Sequence, residues 1–130
     1  MEKLQEHAVG VCKMTFGADH PVTLDAMGML ARSYCAQGRW EEAGKLQAHV
    51  VEARKDTLGA VHFDTLASME MLASTYMVQD RWEEAGELQV QVVEARKETL
   101  GADHPYTLAS MGRLAQMRSL GRYVTTMSST

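Results

Sequence analysis

The stretch TLGADHPYTLASMGRLA (Thr99–Ala115) decides the fold, because most of it occurs twice earlier in the chain. TFGADHPVTLDAMGMLA begins at Thr15 and TLGAVHFDTLASMEMLA at Thr57, so successive starts lie 42 residues apart. Thr15–Asp56 laid over Thr57–Glu98 agrees at about 26 of 42 positions, an internal repeat that takes precedence over any other reading. The third copy holds to about Ala115 and then decays. Lys3-Leu4-Gln5 matches Lys45-Leu46-Gln47 and Glu87-Leu88-Gln89, so the chain opens partway through a unit.

Each unit reads as two helices. In the first, Leu24, Met27, Leu30, Ala31 and Tyr34 recur at spacings of three and four, which marks one buried helical face. On this pattern Met27, Met69 and Met111 are all expected in the core. Pro21 and Pro105 suit a first helical position, where the missing N–H costs nothing. Gly38 supplies a left-handed stop, with Asp80 as its substitute in the second copy. The second helix is expected to start at RWEEA (Arg39–Ala43, Arg81–Ala85), with Glu41-Glu42 and Glu83-Glu84 at its positive end. Arg54-Lys55 and Arg96-Lys97 lie near its negative end. Neither helix can bury its apolar stripe alone, so each must stack on its neighbours. The expected fold class is an all-α, short helical-hairpin solenoid of about two and a half units with a leading partial helix.

The expected boundaries are 1–16 for the partial second helix, 17–56 for unit 1, 57–98 for unit 2 and 99–123 for a partial unit 3. Residues 124–130 (VTTMSST follows Tyr123) show no helical pattern and are expected to be a disordered tail. Val61-His62-Phe63 replaces Asp-His-Pro in the middle linker. In the third unit Arg118 stands where Tyr34 and Tyr76 stood, and Leu120–Tyr123 reads as an echo of Gln79–Trp82 with one residue deleted. The missing final helix suggests a fragment of a longer array.

The bulk numbers narrow the function. A net charge of −4 and a pI near 5.7 argue against a nucleic-acid-binding surface. No apolar run reaches the roughly 20 residues of a membrane span, and the N-terminus lacks a signal peptide's apolar stretch. Two cysteines, Cys12 and Cys35, imply no disulfide framework and favour a reducing cytoplasm. Asn and Ile do not occur at all.

No catalytic set assembles. His20, His62 and His104 hold equivalent positions in successive units, and stacked helices sit roughly 8–10 Å apart. One zinc needs ligands at about 2 Å, so capping and loop packing is the expected role. His7 and His49, also one unit apart, meet the same objection. Neither cysteine has a neighbour that would activate it. Adjacent glutamates on a helix point about 100° apart and cannot share a two-carboxylate site. No enzyme, metal or cofactor is expected.

The LA–Y–QGRW/EEA–L pattern resembles a tetratricopeptide repeat of the 42-residue, kinesin-light-chain-like type. It is similar also to the tandem arrays attached to nucleotide-binding ATPase domains in fungal proteins. The residues that carry the resemblance are Leu30, Ala31, Tyr34, Gln37, Gly38, Arg39, Trp40 and Ala43, then Leu72, Ala73, Tyr76, Gln79, Arg81, Trp82 and Ala85, with the LGADHP loop at Leu100–Pro105. It covers residues 3 to about 117 and implies a right-handed solenoid that binds a peptide or helix of a partner protein along its first helices. The family's contact positions fall on Asp25, Gly28, Arg32 and Cys35, on Ala67, Glu70, Ser74 and Met77, and on Ala109, Gly112 and Gln116. Where kinesin-light-chain-like repeats tend to carry paired asparagines, this chain has Gly28-Met29, Glu70-Met71 and Gly112-Arg113. Met29, Met71 and Arg113 therefore join the expected peptide-binding set. Arg32 is singled out, since a guanidinium grips a carboxylate with two hydrogen bonds. The alternative is structural: stacking onto further repeats or onto a second copy of the chain.

Overall fold

The structure, a computed structural model, describes the backbone of residues 2–128 and the side chains of residues 3–121. Its elements are α1 (Glu2–Phe16), α2 (Pro21–Ala36), α3 (Trp40–Leu58), α4 (Phe63–Val78), α5 (Trp82–Leu100) and α6 (Pro105–Ser128). Every regular element among the described residues is a helix. By repeat position α2, α4 and α6 are first helices, and α1, α3 and α5 are second helices. The chain forms two compact units, Met1–Ser68 and Met69–Thr130, whose boundary falls inside α4.

The histidines explain how each first helix starts. The Nδ1 of His20 accepts the backbone N–H of Val22, His62 that of Asp64 and His104 that of Tyr106, each at 3.1 Å. Each ring thus satisfies one of the orphan donors of a helix N-terminus. The cap survives in α4, where Phe63 has replaced proline, so the histidine suffices there to place the start.

The turn between paired helices is equally local. Gly38 (φ 76°) and Asp80 (φ 61°) take the left-handed conformation that glycine adopts freely and aspartate tolerates. The next residue closes the corner: the Arg39 guanidinium lies 4.2 Å from the Tyr34 ring centre, and Arg81 lies 4.0 Å from that of Tyr76. Arg39 and Arg81 also donate two hydrogen bonds each to Glu42 and Glu84. Through these hydrogen bonds the two arginines hold both carboxyls below the usual carboxylate range.

In the first unit α2 lies between two second helices. Leu24, Met27, Leu30, Ala31 and Tyr34 pack with Val9 of α1 and with Ala43, Val50 and Ala53 of α3. In the second unit Ala73, Ala85 and Met117 form the buried centre, with Tyr76, Met77 and Leu88 against it.

α6 differs from the other two first helices, and the expected burial of Met111 needs correction. α6 runs through Leu120–Tyr123 to Ser128: Arg122 occupies the position of Gly38 and Asp80, and the nearby Gly121 comes one residue early. The helix includes residues 124–128, where no proline or glycine stops it; Ser129 and Thr130 lie outside the described residues. Met111 is exposed, unlike the buried Met27 and Met69, because no second helix covers that side of α6 among the described residues.

Candidate functional site

The first helices of the second unit enclose a groove of about 400 Å³, lined by Ser74 and Met77 from α4 and by Arg113, Gln116, Met117 and Leu120 from α6. Four of these six residues, Ser74, Met77, Arg113 and Gln116, were expected from the sequence. The two missed, Met117 and Leu120, each follow an expected residue, Arg113 and Gln116, by one helical turn, a spacing that could have suggested them. Met77 and Leu120 contribute apolar surface to the lining, and Gln116 can donate and accept hydrogen bonds. Arg113 is the one charged residue lining the groove, and it makes no ion pair among the described residues. Ser74 spends its proton on the Glu70 carbonyl at 3.1 Å, which leaves its oxygen able to accept.

Glu70 is not part of that surface. Its side chain is buried and engaged on both oxygens: Oε1 meets Arg96 Nη1 at 2.9 Å, and Oε2 accepts from Gln89 Nε2 and Ser110 Oγ at 2.9 Å each. Arg96 also donates to Ser110 Oγ at 2.6 Å, and Gln89 donates to the Ser110 carbonyl at 3.0 Å. A carboxylate fixed in this way cannot meet a ligand without leaving Arg96 as an uncompensated buried charge. Glu70 is a structural residue holding α4, α5 and α6 together. Met71, its neighbour, is half-buried and does not line the groove.

The expected residues of the first unit lie on α2. Arg32, Met29 and Asp25 are placed there, Arg32 and Asp25 exposed and Met29 with 59% of its surface open. Arg32 makes no ion pair among the described residues, whereas Asp25 Oδ1 accepts from Arg54 Nη2 at 2.9 Å. Gly28 and Cys35 are half-buried on the same helix; Ala67 is half-buried on α4, and Ala109 and Gly112 are exposed on α6. Cys12 and Cys35 are half-buried thiols. His49 sits 3.2 Å from Asp19 and 3.3 Å from the Ala18 carbonyl, tying α3 to the loop before α2.

Helical hairpins repeated every 42 residues, joined by capped loops and exposing side chains of their first helices, define an all-α helical-repeat protein. The chain belongs to the tetratricopeptide-repeat family, whose models match residues 64–124 and 23–64. Two crystal structures of nearly identical TPR-like repeats from a putative kinesin light chain of Podospora anserina, one a point variant, are similar to it, each with a TM-score of 0.82. They are 38% and 37% identical over 89% of this chain and 55% of theirs, so the chain spans about half the length of the solved chains it matches. Among curated proteins none matches the chain. Repeats of this family generally mediate protein–protein interaction and are typically non-catalytic. Among the described residues, no helix is long and apolar enough to cross a membrane.

Proposed function

We propose that the chain is a non-catalytic, cytoplasmic interaction scaffold that holds a short segment of a partner protein against its first helices. One observation carries the reading: the groove between α4 and α6 gathers Ser74, Met77, Arg113 and Gln116 beside Met117 and Leu120. A helix or extended strand would place apolar side chains on Met77 and Leu120 and turn a carboxylate toward Arg113. Backbone groups of the segment would find Ser74 and Gln116. Arg32 and Met29, exposed on α2, are the corresponding contacts proposed for the first unit, with Asp25 beside them.

Selection from a displayed random-peptide library against the full chain tests this. The expected winners combine apolar residues with an aspartate or glutamate. Arg113→Glu should then weaken the selected peptide about tenfold or more, as a desolvated charged contact does. Unchanged affinity in both Arg113→Glu and Met77→Ala would remove the groove from consideration.

A further inference from the structure

The groove of the second unit adjoins a closed set of polar side chains. Glu70 lies one turn before Ser74 on α4 and two turns before Met77, so all three share one stripe of the helix. Ser110 stands in the same relation to Arg113 and Met117 on α6. The seam that opens as the groove is therefore closed, one turn earlier, at Glu70 and Ser110. Glu70 Oε2 and Ser110 Oγ are 2.9 Å apart although 40 residues separate them in the chain. Both residues belong to the second unit, as does the whole groove lining. Two side chains of α5 bridge the same seam. Gln89 Nε2 donates to Glu70 Oε2 at 2.9 Å and to the Ser110 carbonyl at 3.0 Å. Arg96 Nη1 reaches Glu70 Oε1 at 2.9 Å and Ser110 Oγ at 2.6 Å.

All four residues are buried: Gln89 and Ser110 are 0% exposed, Arg96 6% and Glu70 8%. Charge-assisted hydrogen bonds shielded from water in this way hold α4 and α6 at one separation. The Ser110 proton lies between Glu70 Oε2 and the Tyr106 carbonyl, 3.0 Å away, and the carboxylate is the stronger acceptor. The first repeat is built differently at the equivalent positions. Gly28 stands where Glu70 does, and Ser68, equivalent to Ser110, gives its proton to the Asp64 carbonyl at 2.8 Å. We propose that Glu70 is a positioning residue for the groove. Through Ser110 and Gln89 it sets the distance between Ser74 and Met77 on one wall and Arg113 and Gln116 on the other. On the peptide-binding reading above, a groove held at one width spares a bound segment the ordering of its walls; the width itself is a property of the free chain.

Ser110→Ala in the full chain tests this in two ways. It removes the bond from Glu70 to α6 but leaves Glu70 its ion pair with Arg96, so no charge is stranded and the fold should persist by circular dichroism and urea unfolding. The first readout needs no ligand. Carbon-13 labelled methionine methyls report on the groove, since Met77 and Met117 line it while Met27 sits in the first core. Met77 is the telling one, because it lies on the other helix, two turns beyond Glu70. Its signal should shift and broaden in the variant, with that of Met27 unchanged; an unaltered Met77 signal would overturn the proposal, whatever the chain binds. The second readout is the affinity of a peptide selected on the wild-type groove. It should fall about fivefold where both proteins are fully folded, a loss that lower stability alone cannot produce. A peptide weakened by Arg113→Glu yet bound equally by wild type and Ser110→Ala would overturn the positioning role and leave the groove reading standing. Peptides indifferent to Arg113→Glu and Met77→Ala would remove the groove reading, and the Met77 methyl would still decide the spacing. Should Ser110→Ala fail to fold, Gln89→Met removes the other uncharged bridge and carries the same readouts.

Discussion

Arg54 and Arg96 occupy the same repeat position and grip equivalent serines, Ser68 at 2.7 Å and Ser110 at 2.6 Å. Their carboxylates come from different places. Arg54 pairs with Asp25, whose side chain is 72% exposed, while Arg96 pairs with Glu70, whose side chain is only 10% exposed. The reason is visible in the two first helices. α2 carries Asp25 and Gly28, and α4 carries Ala67 and Glu70 at the same two positions, so the acid has moved by one helical turn. Either turn can neutralise the arginine. From the first turn the pair stays open to water; from the second it is closed over and recruits Gln89 as well.

That difference should appear most strongly in stability. Glu70→Ala leaves Arg96 buried without its counter-charge, and the expected loss is about 3–5 kcal/mol. Asp25→Ala breaks an exposed pair whose arginine keeps Ser68, and the expected loss is about 0–1 kcal/mol. Urea unfolding of the full chain compares the two; equal losses would mean that burial is not what separates the pairs. Should Glu70→Ala fail to fold, replacing both Glu70 and Arg96 by methionine removes the stranded charge and should recover most of the stability.

The comparison can be sharpened by moving the acid. A Cβ at Gly28 would meet no atom within 4 Å, so there is room to build a side chain there. Asp25→Ala combined with Gly28→Glu gives the first unit the pattern of the second. It should be about 1 kcal/mol more stable than wild type, chiefly because glycine inside a helix costs roughly 0.5–1 kcal/mol. A double variant less stable than Asp25→Ala alone would show that α2 cannot present a carboxylate from that turn.

These elements also show where the sequence is readable. The helices, their starts at histidine and their left-handed stops depend on neighbouring residues, so the 42-residue pattern contains them. The continuous α6 was harder to foresee, since it turns on a glycine displaced by one position. Glu70 was expected on the groove because it falls at one of the family's contact positions, which does not reveal that its carboxylate is buried on Arg96. Its partner Arg96 lies 26 residues on, in the following second helix. The exchange of Asp25 and Gly28 for Ala67 and Glu70 was the available signal, but it gains meaning only once Arg54 and Arg96 are known to face those turns. Ser74, Met77, Arg113 and Gln116, expected from repeat positions, line one groove in the structure.

The smallest expected effect concerns a second asymmetry between the units. Tyr34 and Tyr76 both lie under an arginine, and the Tyr34 hydroxyl also has an acid across from it. Its O–H donates to Glu6 Oε1 at 2.7 Å, whereas Ala48 holds the position equivalent to Glu6 in the following second helix. The hydrogen bond to Glu6, then burial, then the negative charges of Glu6 and Glu42 push the Tyr34 hydroxyl up to about 12 from the ordinary value of 10.0. A raised pKa favours the neutral form in the folded state. The stabilisation is therefore complete below pH 10 and lost as pH rises toward 12. An ultraviolet absorbance titration should show one tyrosine ionising late, and Glu6→Gln should bring it back toward the ordinary range by removing both the acceptor and its charge. An unchanged titration in Glu6→Gln would locate the cause in burial instead, and the hydrogen bond between α1 and α2 would then contribute packing but no protonation coupling.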